Sequence, residues 1–129
     1  MIFRKKKARF SIPRNQLLSL KPCRSPDVKW VQYDSGEVVI TVERKYKNPL
    51  FKLIAKILFL PKEKKIILDE IGSFTWMLLD GKHSVREIIR ELSKKFKFTL
   101  REAEMSLLVF LSNLDKKGLI KVGEVSKRT

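Results

Sequence analysis

Leu68-Asp69-Glu70-Ile71-Gly72-Ser73-Phe74-Thr75-Trp76, followed by Leu79-Asp80-Gly81, decides how this 129-residue chain is divided. Leu68 closes an apolar strand. Asp69 or Ser73 can accept hydrogen bonds from the free N–H groups of a helix start. Gly81 can take the left-handed conformation that ends a helix. Working inward from these signals, a short helix covers about Glu70 to Leu79, with Ile71, Phe74 and Leu78 as its inner stripe. Trp76 belongs in a core or a groove, and Asp80 in an Asx-type turn.

Upstream, Val28 to Tyr33 and Glu37 to Tyr46 alternate in the period of a strand and flank Asp34-Ser35-Gly36, a turn signal. Val38, Ile40 and Val42 form the apolar face of this hairpin. Lys64-Lys65-Ile66-Ile67-Leu68 is the third strand. Between the second and third strands, residues 49–60 are helix-like, started by Pro49 and stopped by Pro61. Lys52 and Lys56 share a face of this segment and nearly everything else is apolar. At about 18 Å it is too short to cross a bilayer. Three uses fit it: packing on the core, meeting a partner protein, or lying on a membrane surface.

Downstream, Ser84-Val85-Arg86-Glu87 and Thr99-Leu100-Arg101-Glu102 are capping boxes that open two further helices. The first has Val85, Ile88, Ile89, Leu92 and Phe96 at helical spacing. The second carries Leu100, Ala103, Leu107, Phe110, Leu111 and Leu114 on one face and ends at Lys116-Lys117-Gly118. Leu119 to Val122 is a candidate last strand. The expected fold is α+β and winged-helix-like: a three-stranded antiparallel sheet packed on three helices, with a short helical insert over 47–62. The expected organisation is an irregular, flexible basic arm over 1–24, a domain over 25–122 and a frayed end over 123–129. Pro13, Pro22 and Pro26 interrupt any regular element before residue 27.

Net charge is +15, and it is unevenly spread. Residues 1–30 hold nine Lys and Arg against one acidic residue, whereas residues 63–129 hold fourteen against ten. Such an arm suits an anionic partner: nucleic acid, an acidic peptide or an anionic membrane surface. The basic start is followed by no apolar stretch of the secretory kind, so a cytoplasmic protein is expected. One cysteine, Cys23, excludes an intramolecular disulfide, and one histidine, His83, is expected in an exposed loop. There is no Ser-His-Asp set, phosphate loop, HExxH or paired Cys. No catalytic residue, metal or cofactor is expected. Asp69 and Glu70 are adjacent carboxylates that suit capping and the helix dipole.

On a wheel, the last helix centres its core stripe on Leu107 and Leu114. Met105, Leu108 and Val109 fall off that stripe, beside Ser106, Ser112 and Lys116. A helix packed on one side does not need them. They either contact the insert or the sheet, or line a groove for a partner. An edge strand would complement such a groove, because it offers free N–H and C=O groups to an incoming peptide.

The runs Ile67-Leu68-Asp69-Glu70-Ile71-Gly72-Ser73-Phe74-Thr75-Trp76, Leu79-Asp80-Gly81-Lys82, Val85-Arg86-Glu87-Ile88-Ile89, Phe110-Leu111-Ser112-Asn113-Leu114 and Gly118-Leu119-Ile120 together resemble the PqqD family. The lead-in Ser25-Pro26-Asp27-Val28-Lys29-Trp30 and the basic, apolar insert are similar to its longer stand-alone members. The resemblance implies three antiparallel strands backed by three helices and a non-catalytic peptide chaperone. It further implies binding of a precursor-peptide leader by strand addition, and delivery to a modifying enzyme such as a radical-SAM protein. The founding case serves synthesis of the quinone cofactor PQQ. Carried onto this chain, it implies a site at Lys65, Ile66, Ile67 and Leu68, joined by Met105, Leu108, Val109 and Ser112 from the wheel. The competing expectation is a winged-helix nucleic-acid binder that uses the basic arm. Against it, the outer faces of the last two helices mix Arg86, Arg90 and Arg101 with Glu87, Glu91, Glu102, Glu104 and Asp115.

Overall fold

The computed structural model describes residues 13–43 and 45–122. Residues 1–12 of the expected arm and the expected frayed end over 123–129 lie outside the described residues. The fold is α+β. The central sheet has the order β2 (Lys29–Gln32), β3 (Val38–Glu43), β4 (Glu63–Ile67), all antiparallel. Gly36, with φ of +96°, lets Asp34-Ser35-Gly36 close the β2–β3 hairpin. Tyr33 N–H donates to the Glu37 carbonyl at 2.9 Å across that turn. Trp30, Ile40 and Ile66 align across the inner face, and Val31, Val39 and Ile67 across the outer one.

Five helices lie among the described residues: α1 (Arg14–Ser19), α2 (Pro49–Ile57), α3 (Glu70–Leu78), α4 (Val85–Phe96) and α5 (Leu100–Lys116). Both capping boxes form. Ser84 N–H donates to Glu87 Oε1 at 2.8 Å and Glu87 N–H to Ser84 Oγ at 3.1 Å. Thr99 and Glu102 make the same exchange at 2.9 and 3.0 Å. Val85, Ile88, Ile89 and Leu92 of α4 pack against Ala103, Leu107, Leu111 and Leu114 of α5, over Val38 and Ile40 of β3.

The irregular stretch expected through residue 26 is corrected. Leu17 and Leu18 of α1, and Leu20 after it, are buried in the core. β1 (Cys23–Arg24) pairs antiparallel with β5 (Ile120–Lys121), inside the expected 119–122 strand. Three prolines mask these elements because each is too short to show a period. Their hydrogen bonds go to distant chain: Val85 N–H to the Leu20 carbonyl at 2.8 Å, and Arg24 N–H to the Leu79 carbonyl at 3.0 Å.

α3 presents a different face from the one expected. Its buried residues are Gly72, Ser73, Thr75 and Trp76, while Ile71, Phe74 and Leu78 are half-buried. Nearly every residue of α3 is apolar or small, so periodicity does not choose a face, and hydrogen bonds to the sheet do. Asp69 is the cap, accepting from Gly72 N–H at 2.7 Å. Ser73 is not a cap. Its Oγ accepts from Val38 N–H at 2.9 Å and donates to the Leu68 carbonyl at 3.2 Å. Trp76 is 0% exposed and meets Trp30 edge-on at 6.0 Å. Leu100, expected on the core face, is exposed, because it is the first residue of α5, at the end of the helix.

Ser73→Ala leaves Val38 N–H and the Leu68 carbonyl short of a buried partner and is expected to cost about 2 kcal/mol. Ser84→Ala removes a half-exposed cap and is expected to cost about 1 kcal/mol. Urea unfolding of both variants checks the order.

Candidate functional site

β4 is a sheet edge, hydrogen-bonded to β3 on one side and to no described strand on the other. The Leu68 N–H donates to the Val38 carbonyl at 2.9 Å, which makes residues 38 and 68 a hydrogen-bonded pair. With the observed register, Ile66 and Lys64 also turn their main-chain groups toward β3, opposite Ile40 and Val42. Lys65 and Ile67 therefore turn their N–H and C=O groups outward, to the open edge. The Ile67 side chain stands on the outer face, 66% exposed, whereas Ile66 and Leu68 pack on the core.

Just past the C-terminal end of this edge, the start of α3 faces α5. A cleft of about 150 Å³ is lined by Asp69, Ile71, Gly72 and Thr75 on one wall and Ser106, Leu107 and Phe110 on the other. Gly72 permits the approach: a Cβ there would stand 3.1 Å from Asp69 Oδ1 and 3.5 Å from the Phe110 ring. A larger hollow of about 670 Å³ opens at the end of the sheet, between the β2–β3 turn, the first turn of α3 and Lys95. Its carboxylates are Glu37, Asp69 and Glu70, and no histidine, cysteine or metal-binding cluster accompanies them.

The structure divides the residues expected at the site. Lys65 and Ile67 supply the outward main chain, and Ile66 and Leu68 anchor it from inside. Met105 and Val109 form an exposed ridge on α5, 52% and 59% accessible. Leu108 and Ser112 do not line the cleft. They follow Glu104 at helical spacing on the opposite flank of α5, and Glu104 there holds Arg14 of α1 in a two-pronged ion pair. The flank toward Asp69 and α3 is Ser106 and Phe110, which a wheel centred on the core stripe cannot tell from its mirror side. Gly72 is the one sequence signal for it, since a helix glycine marks close packing.

His83 is half-buried and not the free loop histidine expected. Its Nδ1 lies 3.0 Å from Asp80 Oδ1, which also accepts from the N–H groups of Lys82 at 2.9 Å and His83 at 3.1 Å. Asp80 is thus the Asx-turn residue expected. The neighbouring Ser84 hydroxyl is occupied by the α4 cap, so the trio is a turn and not a nucleophile with its base. Partial burial pushes the Asp80 carboxyl up, but the bonds from His83 and the turn N–H groups outweigh it and hold the pKa at about 2.

The family model for PqqD, coenzyme PQQ synthesis protein D, matches residues 56–120. The chain belongs to the PqqD family. The matched half of the chain contains the β4 edge, the cleft and all of α3, α4 and α5. PqqD proteins are non-catalytic, peptide-binding partners in PQQ synthesis. No curated protein and no solved structure gives a significant match. Among the described residues, no helix is long and apolar enough to cross a membrane.

The folded pKa of Asp80 lies below the ordinary carboxylate value, so its stabilisation is complete above about pH 4 and lost as pH falls toward about 2. Asp80→Asn keeps the turn acceptor and loses the charge. Wild type is expected to melt higher than Asp80→Asn at pH 6, with the gap closing between about pH 4 and 2. Melting curves of both proteins across that range test it.

Proposed function

We propose that this PqqD-family chain binds the leader of a precursor peptide as a fourth strand on β4 and presents it to a modifying enzyme, such as a radical-SAM protein. The observation that carries the reading is the open β4 edge inside the family-matched segment, with the N–H and C=O groups of Lys65 and Ile67 turned outward. A strand added there bonds mainly through its backbone, which accommodates varied peptide sequences. Its alternate side chains meet Lys65 and Ile67 on one face and the Asp69–Ser106–Phe110 cleft at the end of the edge. Lys64 and Lys65 favour acidic residues in the leader. Met105 and Val109 extend the apolar surface along α5, and Leu108 and Ser112 support that ridge from its far flank.

The register separates binding from folding. Ile67→Pro removes an N–H that no described strand uses, whereas Ile66→Pro removes one bonded to β3. Ile67→Pro is expected to weaken binding of a leader encoded beside this gene by about tenfold, with little change in folding. Ile66→Pro is expected to unfold the sheet. Amide NMR titration with the labelled protein checks both. Absence of shifts over residues 64–69 and 101–116 on adding the wild-type partner peptide overturns the reading.

A further inference from the structure

The helix α2 is built inside out. Of the residues from Pro49 to Ile57, only Ala55 is buried. Ala55, Lys52 and Lys56 face back toward Glu43 and Tyr46, across a shallow hollow that they line with Leu60 and Pro61. The opposite face, Leu50, Leu53, Ile54 and Ile57, continues into Leu58, and all of them are 40% or more exposed. Packing on the core, one of the uses open to this segment, is thereby excluded. The helix is nonetheless well formed. Asn48 caps it, accepting from Leu50 N–H at 2.8 Å, and Pro49 occupies its first turn.

The C-terminal end of α2 holds a second oddity. Leu60 N–H donates to the Ala55 carbonyl at 3.0 Å, closing a Schellman turn in which Phe59 takes the left-handed position with φ of +55°. Glycine ordinarily stands there, and a bulky aromatic is strained. The Phe59 ring is 90% exposed. A strained, exposed aromatic at the tip of an exposed apolar helix serves no folding purpose among the described residues.

Charge identifies what the face meets. Between Glu43 and Glu63 the sequence carries six Lys and Arg and no acidic residue, and Lys64 and Lys65 follow. We infer that α2 is an interfacial helix that docks the protein on an anionic lipid bilayer, with the Leu50–Ile57 face and Phe59 entering the acyl boundary and the lysines meeting the headgroups. An apolar helix face within a segment whose charges are all basic is what such a surface binds. The face also lacks any hydrogen-bonding side chain, which a protein partner uses to set its orientation. A second copy would bring one basic segment against another. α2 leads through residues 58–62 into β4, so docking would hold the open edge close to the membrane.

The test uses the full chain and co-sedimentation with vesicles of phosphatidylcholine, with and without phosphatidylglycerol. Wild type is expected to bind the phosphatidylglycerol vesicles far better, and less so as salt rises. The double variant Leu53→Ser/Ile57→Ser keeps every charge and is expected to bind at least about tenfold more weakly. Phe59→Gly relieves the strained turn and is expected to weaken binding in the same direction. Unchanged far-UV circular dichroism shows that both variants fold. Equal binding by wild type and double variant overturns the proposal, because it assigns the attraction to charge alone. So does failure of wild type to bind either vesicle, or a dimer in light scattering that the double variant dissociates, which gives the face to a second copy. Leader-peptide titration of the double variant reads the β4 edge separately and is expected to be unchanged.

Discussion

The hydroxyl of Ser73 is the joint on which this structure turns. In an ordinary antiparallel ladder Val38 and Leu68 would exchange two direct bonds. Here one is direct, from Leu68 N–H, and the other runs through Ser73, which accepts from Val38 N–H and donates to the Leu68 carbonyl. The last rung of the sheet therefore contains the first turn of a helix. Distance and rotation between α3 and the sheet are set together, and Trp76, one turn further on, is carried into the core against Trp30. Gly72 is brought with it to face Phe110, which closes α3 on α5.

A second clamp holds the other end of α3. The Arg24 guanidinium donates to the carbonyl of Trp76 at 2.7 Å, and sits over the Trp30 ring at 4.9 Å. One side chain thus adds a hydrogen bond at a helix end and pins the aromatic pair beneath it. Arg24 lies in β1, whose partner is β5, so the two ends of the described chain are tied to the same helix. Residues 13–24 are structural, although the composition of the N-terminal stretch is that of a basic tail.

What the residues reveal in advance follows the range of the interaction. Both capping boxes, the Asp34–Gly36 turn and the buried stripe of α4 are specified within four residues and are legible as such. α1, β1 and the buried face of α3 are specified by partners far off in the chain, as Ser73 is by Val38, 35 positions away, and Trp76 by Arg24, 52 positions away. A two-residue strand has no period, and an all-apolar helix has no preferred side. The site splits the same way. The edge character of β4 follows from strand count, but the choice between Ser106 and Leu108 depends on which flank α1 occupies, and α1 is hidden among prolines. The exposed face of α2 is the extreme case, since amphipathic spacing announces a stripe and leaves open whether protein, lipid or solvent meets it.

The lysines of β4 have a consequence for self-association. An unprotected edge invites its own copy, and two β4 strands laid antiparallel would extend one continuous six-stranded sheet. Lys64 and Lys65 occupy the middle of that strand, so such a pairing crowds four ammonium groups along one seam. A guest strand bearing carboxylates meets the same seam with opposite sign. One pair of side chains thus acts as a gatekeeper, refusing the homotypic, aggregation-prone partner while leaving the backbone groups free for another.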